Sequence, residues 1–261
     1  MLYPFLQKGR AEAGVDEAGR GCLAGPVVAA AVILPEDFAH PLLNDSKKLK
    51  ASDRYALRQI IEHEAVAWAV SFIDPDVIDE VNILNATFLA MNEAVNKLKI
   101  RPQHLLIDGN RFKDTTAGIG YSCIVKGDAL YASIAAASIL AKTYRDDQML
   151  TLHQQHHQYL WNNNKGYPTT DHRLAIEVHG ITIHHRKSFR LLPEEPQLRL
   201  FHEGDTVFLS SFLSSPNNTE ITLFALRLSA TILIMAANGT NNIMPLPPQN
   251  IPPNRIIASV A

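Results

Sequence analysis

Apolar positions come in short blocks, and their spacing changes from block to block. Ala13 to Asp16 and Val27 to Leu34 ("VVAAAVIL") are apolar runs rich in valine and predict neighbouring strands joined by a loop. Pro35 ends the second run. Tyr55, Leu57, Ile60 and Ile61 recur at helical spacing after Ser52, which is placed to cap that helix. "AVAWAVSFI", residues 65–73, predicts a third strand. Leu84, Phe88, Met91, Val95 and Leu98 step by three and four and predict an amphipathic helix over 82–99, stopped near Pro102. "HLLIDG" predicts a short buried strand ending in Asp108, and "IGYSCIVKGD" another ending near Asp128. Residues 129–150 predict a helix whose first half is Ala, Ser and Ile. Small side chains of that kind let a helix pack tightly on a sheet. "NNNKGYPTTD" reads as a loop, and Thr170 as the cap of a last helix ending before Gly180.

Strands alternating with helices predict a layered α/β domain. The first two strands are joined by a loop too short for a helical crossover, so part of the sheet must be antiparallel. The pattern changes from about Phe201, where the chain becomes rich in Ser, Asn, Thr and Pro. "ITLFALRLSATILIMAANG", 221–239, is long and apolar. Arg227, Thr222, Ser229 and Thr231 within it favour a packed or aggregation-prone segment over a membrane span.

Composition narrows the function classes. Hydrophobic residues are 46% and charged residues 19%, the balance of a globular chain. The formal net charge of −2 gives no global basic signature, so a nucleic acid would have to be held by a local patch. Cys22 and Cys123 stand far apart and in no metal-type spacing, which argues against a disulfide framework and fits a reducing cytosol. "MLYPFLQKGR" has neither a long apolar run nor a small-residue cleavage site, so no signal peptide is expected.

Four acids stand where chemistry would use them. Asp16 and Glu17 close the first strand, Asp108 ends "LLID", and Asp128 precedes the small-residue helix. Residues beyond strand ends in an open α/β sheet converge on one edge, where ligands bind. Carboxylates gathered there would repel one another, shift their pKa values or take up hard divalent cations such as Mg²⁺ or Mn²⁺. Two such ions about 4 Å apart are the usual arrangement for splitting a phosphodiester. Taken singly, Asp108 before a glycine and Asp128 before a helix also read as a turn former and a cap. The adjacent pair Asp16–Glu17 gains nothing from turn chemistry.

"GVDEAGRGCLAGPVVAAAVIL", "DSKKL", "LLIDGN", "VKGDALYASIAAASILAKTYRD" and "KGYPTTDH" resemble, in that order, the successive motifs of bacterial ribonuclease HII, across roughly residues 11–192. The resemblance implies a ribonuclease H-like fold, a mixed central sheet flanked by helices, with a helical C-terminal extension. It assigns residues 1–200 to the catalytic domain. It implies an endonuclease that hydrolyses the RNA strand of RNA–DNA hybrids and incises at single ribonucleotides in duplex DNA. The ends left are a 3′-hydroxyl and a 5′-phosphate; two Mg²⁺ or Mn²⁺ ions serve as cofactors, and no covalent intermediate forms. It maps the metal-binding acids onto Asp16, Glu17, Asp108 and Asp128. A glycine-arginine-glycine element maps onto Gly19, Arg20 and Gly21, whose backbone would read the 2′-hydroxyl. A substrate-stacking tyrosine maps onto Tyr167, and a supporting histidine onto His172. A monomeric cytoplasmic enzyme without membrane attachment is the expectation. Rival readings are a DNA nuclease of the same fold and a catalytically silent hybrid-binding protein.

Further basic residues extend the expectation. Lys47 and Lys48 are candidates for phosphate contact. Lys126, Lys142, Arg145, Lys165, Arg186, Lys187 and Arg190 are candidates for a basic track along the duplex. Asp146 is expected in a helix-surface ion pair outside the metal shell. His153, His156, His157, His184 and His185 raise the thought of zinc, but no cysteine lies near and a solvated helix end is the simpler reading. Residues 201–261 match nothing in the family. They read as a species-specific extension, a disordered tail or an adventitious reading-frame product.

Overall fold

The computed structural model describes residues 2–43, 49–115 and 118–192. The chain divides into two units, 1–195 and 196–261, and the second lies outside the described residues, as does the apolar run at 221–239.

The first unit is built on a five-stranded sheet. Strands β1 (Glu12–Ala18), β2 (Val27–Ile33), β3 (Ala67–Ile73), β4 (His104–Asp108) and β5 (Gly120–Ile124) lie in the order β3-β2-β1-β4-β5. β1 pairs antiparallel with β2, and β2 antiparallel with β3. β1 and β4, and β4 and β5, pair in parallel. The antiparallel component expected from the short β1–β2 loop is therefore present; helices lie on the connection from β3 to β4, whereas the parallel pair β4–β5 is joined through residues 109–119 with no helix among the described residues.

All seven residues of β2 are buried, so its apolar run shows no alternation of apolar and polar. The reason is that both faces of the sheet are covered. Ala29, Ala31 and Ile33 point to the side of α3 (Ile83–Asn96), where Ala86, Ala90, Met91 and Val95 meet them. Ala30 and Val32 point the other way, onto Leu57 and Ile61 of α1 (Ala51–Glu64) and the alanine-rich start of α4 (Ala132–Gln155). The small residues of α4 let it press on the sheet. A Cβ placed on Gly14 of β1 would stand 2.1 Å from the Ser133 carbonyl carbon, so only glycine fits there. A separate apolar cluster joins Leu23, Ala24, Met149, Tyr159, Trp161 and Ile176 beneath α5 (Trp161–Asn164) and α6 (Thr170–His179).

Several boundaries differ from the sequence reading, each for a local reason. Lys50 rather than Ser52 occupies the cap position of α1, with no side-chain capping bond, and Ser52 sits inside the first turn. A short helix α2 (Pro75–Val81), with proline in its first turn, precedes α3 and is invisible to a periodicity search at this length. Asn82, at φ 68°, breaks the two helices apart, and its Oδ1 accepts from the N–H groups of Leu84 and Asn85, both at 3.1 Å. The last helix is capped by Thr169, one residue before Thr170, through a 3.2 Å bond from His172 N–H. β5 stops at Ile124. Lys126 then turns the chain at φ 57°, and Asp128 lies in a 3₁₀ turn, Gly127–Ala129, ahead of α4.

Candidate active site

Parallel pairing of β1 and β4 brings the acids to one edge. Val15 lies opposite Ile107, so the next residues, Asp16 and Asp108, stand side by side where the β1–β4 pairing ends. Asp16 is 5% exposed, and its carboxylate accepts from the Ser138 hydroxyl on α4 and from Glu17 N–H at 2.7 Å. Burial first, and then the charges of Glu17 and Asp108, hold Asp16 well above the usual carboxylate range. Burial also pushes Glu17 up, against the pull of Arg20, whose guanidinium lies 3.1 Å away. Asp108 adds to that rise. Asp108 accepts at 2.7 Å from the N–H of Gly127, the residue before Asp128. That bond ties the end of β4 to the turn carrying the fourth acid, itself buried.

Among the described residues, no three His, Cys, Asp or Glu side chains are gathered at ion-holding spacing. Asp16, Glu17 and Asp108 each lean on a donor of the protein itself. Still, the donors at this edge are all carboxylate oxygens, the chemistry that hard divalent cations select. Two of them are held in a high-pKa state that a cation would relieve. Glu17, Arg20 and Asp108 open onto a cleft of about 360 Å³ whose opposite wall is Thr87, Phe88 and Met91 of α3. Asn110 and Arg111 complete its rim. A larger cavity of about 720 Å³, lined by Leu2, Phe38, His40 and Leu43, contains none of the four acids.

The loop after β1 is firmly placed. Gly19 has φ +92°, and a Cβ there would strike Arg145 Nε at 2.0 Å. Gly21 is exposed, with open space where a side chain would stand, so its backbone can be approached closely. Tyr167 is 40% exposed; its hydroxyl bonds with the buried Cys22 thiol, and its ring faces Arg145 Cζ at 5.8 Å and Lys142 Nζ at 5.9 Å. The loop that carries it is joined to the first loop by the Leu23 N–H to Gly166 carbonyl bond, 2.8 Å.

Not every predicted residue is where a solvent-facing role needs it. Arg145 is 1% exposed and Arg186 fully buried, so neither belongs to a basic track. Both spend their donors on carbonyls. Arg145 Nε, Nη1 and Nη2 donate to Pro26, Lys165 and Ala24 (3.0, 2.9 and 3.1 Å). Arg186 donates twice to Gly25, at 3.0 and 2.9 Å, and once to Arg20, at 2.9 Å. Lys126, Lys187 and Arg190 are exposed, Lys142 and Lys165 half-buried. Lys47 and Lys48 lie outside the described residues. Asp146 does pair with Lys142, at 2.6 Å, but it is 6% exposed rather than on the surface.

His153, His156 and the exposed His157 do stand at the end of α4, but His172 and His185 form a buried relay, and His156 and His184 join an aromatic cluster. Thr182 N–H donates to His185 Nδ1 at 2.9 Å, so His185 carries its proton on Nε2, facing His172 Nε2 at 3.3 Å. Trp161 Nε1–H donates to the same His172 nitrogen at 3.0 Å, which leaves the His172 proton on Nδ1 for the Tyr167 carbonyl at 2.9 Å. Burial keeps His172 below its ordinary pKa and lowers His185 to about 4, so both rings are neutral. His172 thus supports the backbone of Tyr167. His156 and His184 pack edge-on against each other and Trp161. The α3 wall, Arg111 and the two buried arginines escape a linear reading. Thr87 interrupting an apolar stripe, and "RF" directly after "DGN", are the faint signals that were there.

The family profile of ribonuclease HII matches residues 13–192. Ribonuclease HII of Phocaeicola vulgatus is 63% identical over 200 residues, covering 77% of this chain and 99% of its own length. The ribonuclease H2 of Pyrococcus horikoshii OT3 superimposes with a TM-score of 0.58 at 25% identity, over 69% of this chain and 94% of its own. Bst-RNase HIII, solved in complex with Mn²⁺, shares the fold with a TM-score of 0.55 at 19% identity, over 70% of this chain and 68% of its own. The adjacent acids on β1, the partner acid beside them on β4 and the matches that span both strands agree: this chain belongs to the ribonuclease HII family and is a ribonuclease H, a hydrolase.

Proposed function

We propose that this chain is an endonuclease that hydrolyses the RNA strand of RNA–DNA hybrids and incises duplex DNA at single embedded ribonucleotides. It leaves 3′-hydroxyl and 5′-phosphate ends and works as a monomer in the cytoplasm. The catalytic domain lies within residues 1–200, and residues 201–261 take no part in the chemistry. One observation carries the reading: the β1–β4 register sets the carboxylates of Asp16 and Glu17 beside Asp108, where burial and mutual repulsion disfavour their charged forms unless a cation answers them. Asp16, Glu17, Asp108 and Asp128 would hold two Mg²⁺ or Mn²⁺ ions. When bound, such ions supply an activated water and stabilise the leaving oxygen.

The remaining work falls to the chain's own groups. Ser138 and the Glu17 N–H aim the Asp16 carboxylate, and Gly127 N–H aims that of Asp108. The backbone of Gly19, Arg20 and the exposed Gly21 meets the 2′-hydroxyl, the group by which a protein tells RNA from DNA. Tyr167 presents its half-exposed ring to the sugar that follows the ribonucleotide. Arg20 and Arg111, on the cleft rim, approach the phosphates; the exposed Lys126 and Lys187 are further candidates for that contact, as is Lys47, which lies outside the described residues. No helix among the described residues is long and apolar enough to cross a membrane.

The test is cleavage mapping on a duplex carrying one ribonucleotide, on a long hybrid and on all-DNA duplex, with Mg²⁺, with Mn²⁺ and with a chelator. The expected result is a cut beside the ribonucleotide, dependent on added metal and abolished by Asp108→Asn. Equal cleavage of the all-DNA duplex, or near-normal turnover by Asp108→Asn, would overturn the reading.

A further inference from the structure

The two loops assigned to the substrate come from distant parts of the chain, yet one side chain bonds to both. Arg145 rises from the middle of α4. Its Nη2 and Nε hold the carbonyls of Ala24 and Pro26, at the far end of the Gly19–Pro26 loop, and its Nη1 holds the carbonyl of Lys165, two residues before Tyr167. Its shaft fills the space a side chain at Gly19 would need, and its Cζ stands 5.8 Å from the Tyr167 ring centroid. Arg145 is 1% exposed. A guanidinium keeps its charge when buried, and its donors point in fixed, diverging directions. Three carbonyls gripped by one rigid fork cannot shift independently.

We infer that Arg145 is a positioning residue that fixes the spacing between the backbone at Gly19–Gly21 and the ring of Tyr167, and so sets the enzyme's selectivity for an RNA-to-DNA junction. This rests on the proposed roles of the two loops. The site must place a 2′-hydroxyl against one loop and the next sugar against the other at the same moment. A junction satisfies both contacts only if the loops stand one nucleotide step apart. A long hybrid offers a 2′-hydroxyl at every position of the RNA strand, so it tolerates a loosened spacing better.

The experiment is Arg145→Lys in the full chain. Lysine keeps the charge but offers its donors from a single point, which cannot span carbonyls on two loops. Cleavage kinetics are measured on a single-ribonucleotide duplex and on a long hybrid, with cut positions mapped to the nucleotide. Amide hydrogen exchange is measured at Leu23, Gly25, Gly166 and Tyr167, all of which donate to protein acceptors in the intact enzyme. The expected outcome is a loss of kcat/KM about tenfold larger on the single ribonucleotide than on the hybrid, as for removal of about 1.4 kcal/mol of differential stabilisation. Cuts should spread beyond one position. Exchange should quicken in both loops together while the amides of α4 keep their protection. Equal kinetic losses with unchanged cut positions mean a merely structural residue and overturn the inference.

The exchange readout separates the two levels of reading. If the unaltered enzyme does not act on single ribonucleotides, the proposed function falls, and the selectivity role of Arg145 falls with it. Coordinated loosening of the two loops would then still establish the fork. If only one loop loosens, or neither, Arg145 does not couple them, whatever substrate the enzyme prefers.

Discussion

Gly14→Ala is a one-carbon change that reaches the active site without touching it. Gly14 sits in β1 two residues before Asp16, with α4 pressed against it. The added Cβ would lie 2.1 Å from the Ser133 carbonyl carbon and 2.3 Å from Ile134 N, where ordinary contact begins at 3.4 Å. These are backbone atoms of a helix start, so no side chain can rotate away. The helix must retreat by about 1.3 Å along that line, taking with it Ser138, the hydroxyl partner of Asp16, and the turn that carries Asp128. Overpacking of a core contact costs about 1–3 kcal/mol, offset by about 0.4–1 kcal/mol because alanine restricts the unfolded chain more than glycine does. A net loss of about 1–2 kcal/mol lowers Tm by about 2–8 °C for a domain of this size. The protein then stays almost wholly folded at 25 °C. Activity should nonetheless fall on the order of 100-fold, because displacing catalytic groups by about 1 Å is worth that much. Thermal unfolding and Mg²⁺-dependent hybrid cleavage on the same preparation measure both effects. An unchanged Tm with normal turnover would refute the idea that α4–β1 contact sets the position of the acids.

The other perturbations act on charge and on the Tyr167 loop. A carboxyl with a raised folded pKa binds more protons folded than unfolded, so its contribution to stability declines as pH rises above the ordinary carboxylate range. Asp16→Asn should therefore be more stable than the unaltered protein at pH 7 in chelator while cleaving nothing, and added Mg²⁺ should raise the Tm of the unaltered protein only. A less stable variant in chelator would contradict the repulsion. His185 has the opposite sign: its pKa falls from 6.5 to about 4 on folding, so stability is lost as pH drops through that window, by up to about 3 kcal/mol. His185→Gln should flatten the Tm profile between pH 6.5 and 4, and parallel profiles would show that the relay does not titrate. Tyr167→Ala should lose more activity on a single embedded ribonucleotide than on a long hybrid, whereas Tyr167→Phe should keep the preference. Equal losses on both substrates would remove the stacking role.

Asp16, Glu17 and Asp108 stand out along the chain because each follows an apolar run near the end of a strand, whereas Asp128 follows Lys126 and Gly127 and lies in a 3₁₀ turn. β2 was legible for a related reason, since "VVAAAVI" has no polar position to spare for solvent. α2 was not legible, because seven residues hold too few turns for a periodic stripe. The capping threonine was off by one because Thr169 and Thr170 offer the same hydroxyl and only backbone geometry selects between them.

Residue type and spacing thus predict that β2 is buried throughout and that the first two strands run in opposite directions, whereas β5, read from the sequence as a buried strand, lies at the sheet edge with no buried residue. Partner choice is different. In the linear chain Arg145 and Arg186 look like surface cations, His185 like one of a loose run of histidines, and His172 has no visible partner. Folding buries them and directs their donors to carbonyls and rings brought up from far away in sequence. A hydrogen bond depends on where two atoms stand to within a few tenths of an ångström, and that placement exists only once helices and sheet have packed.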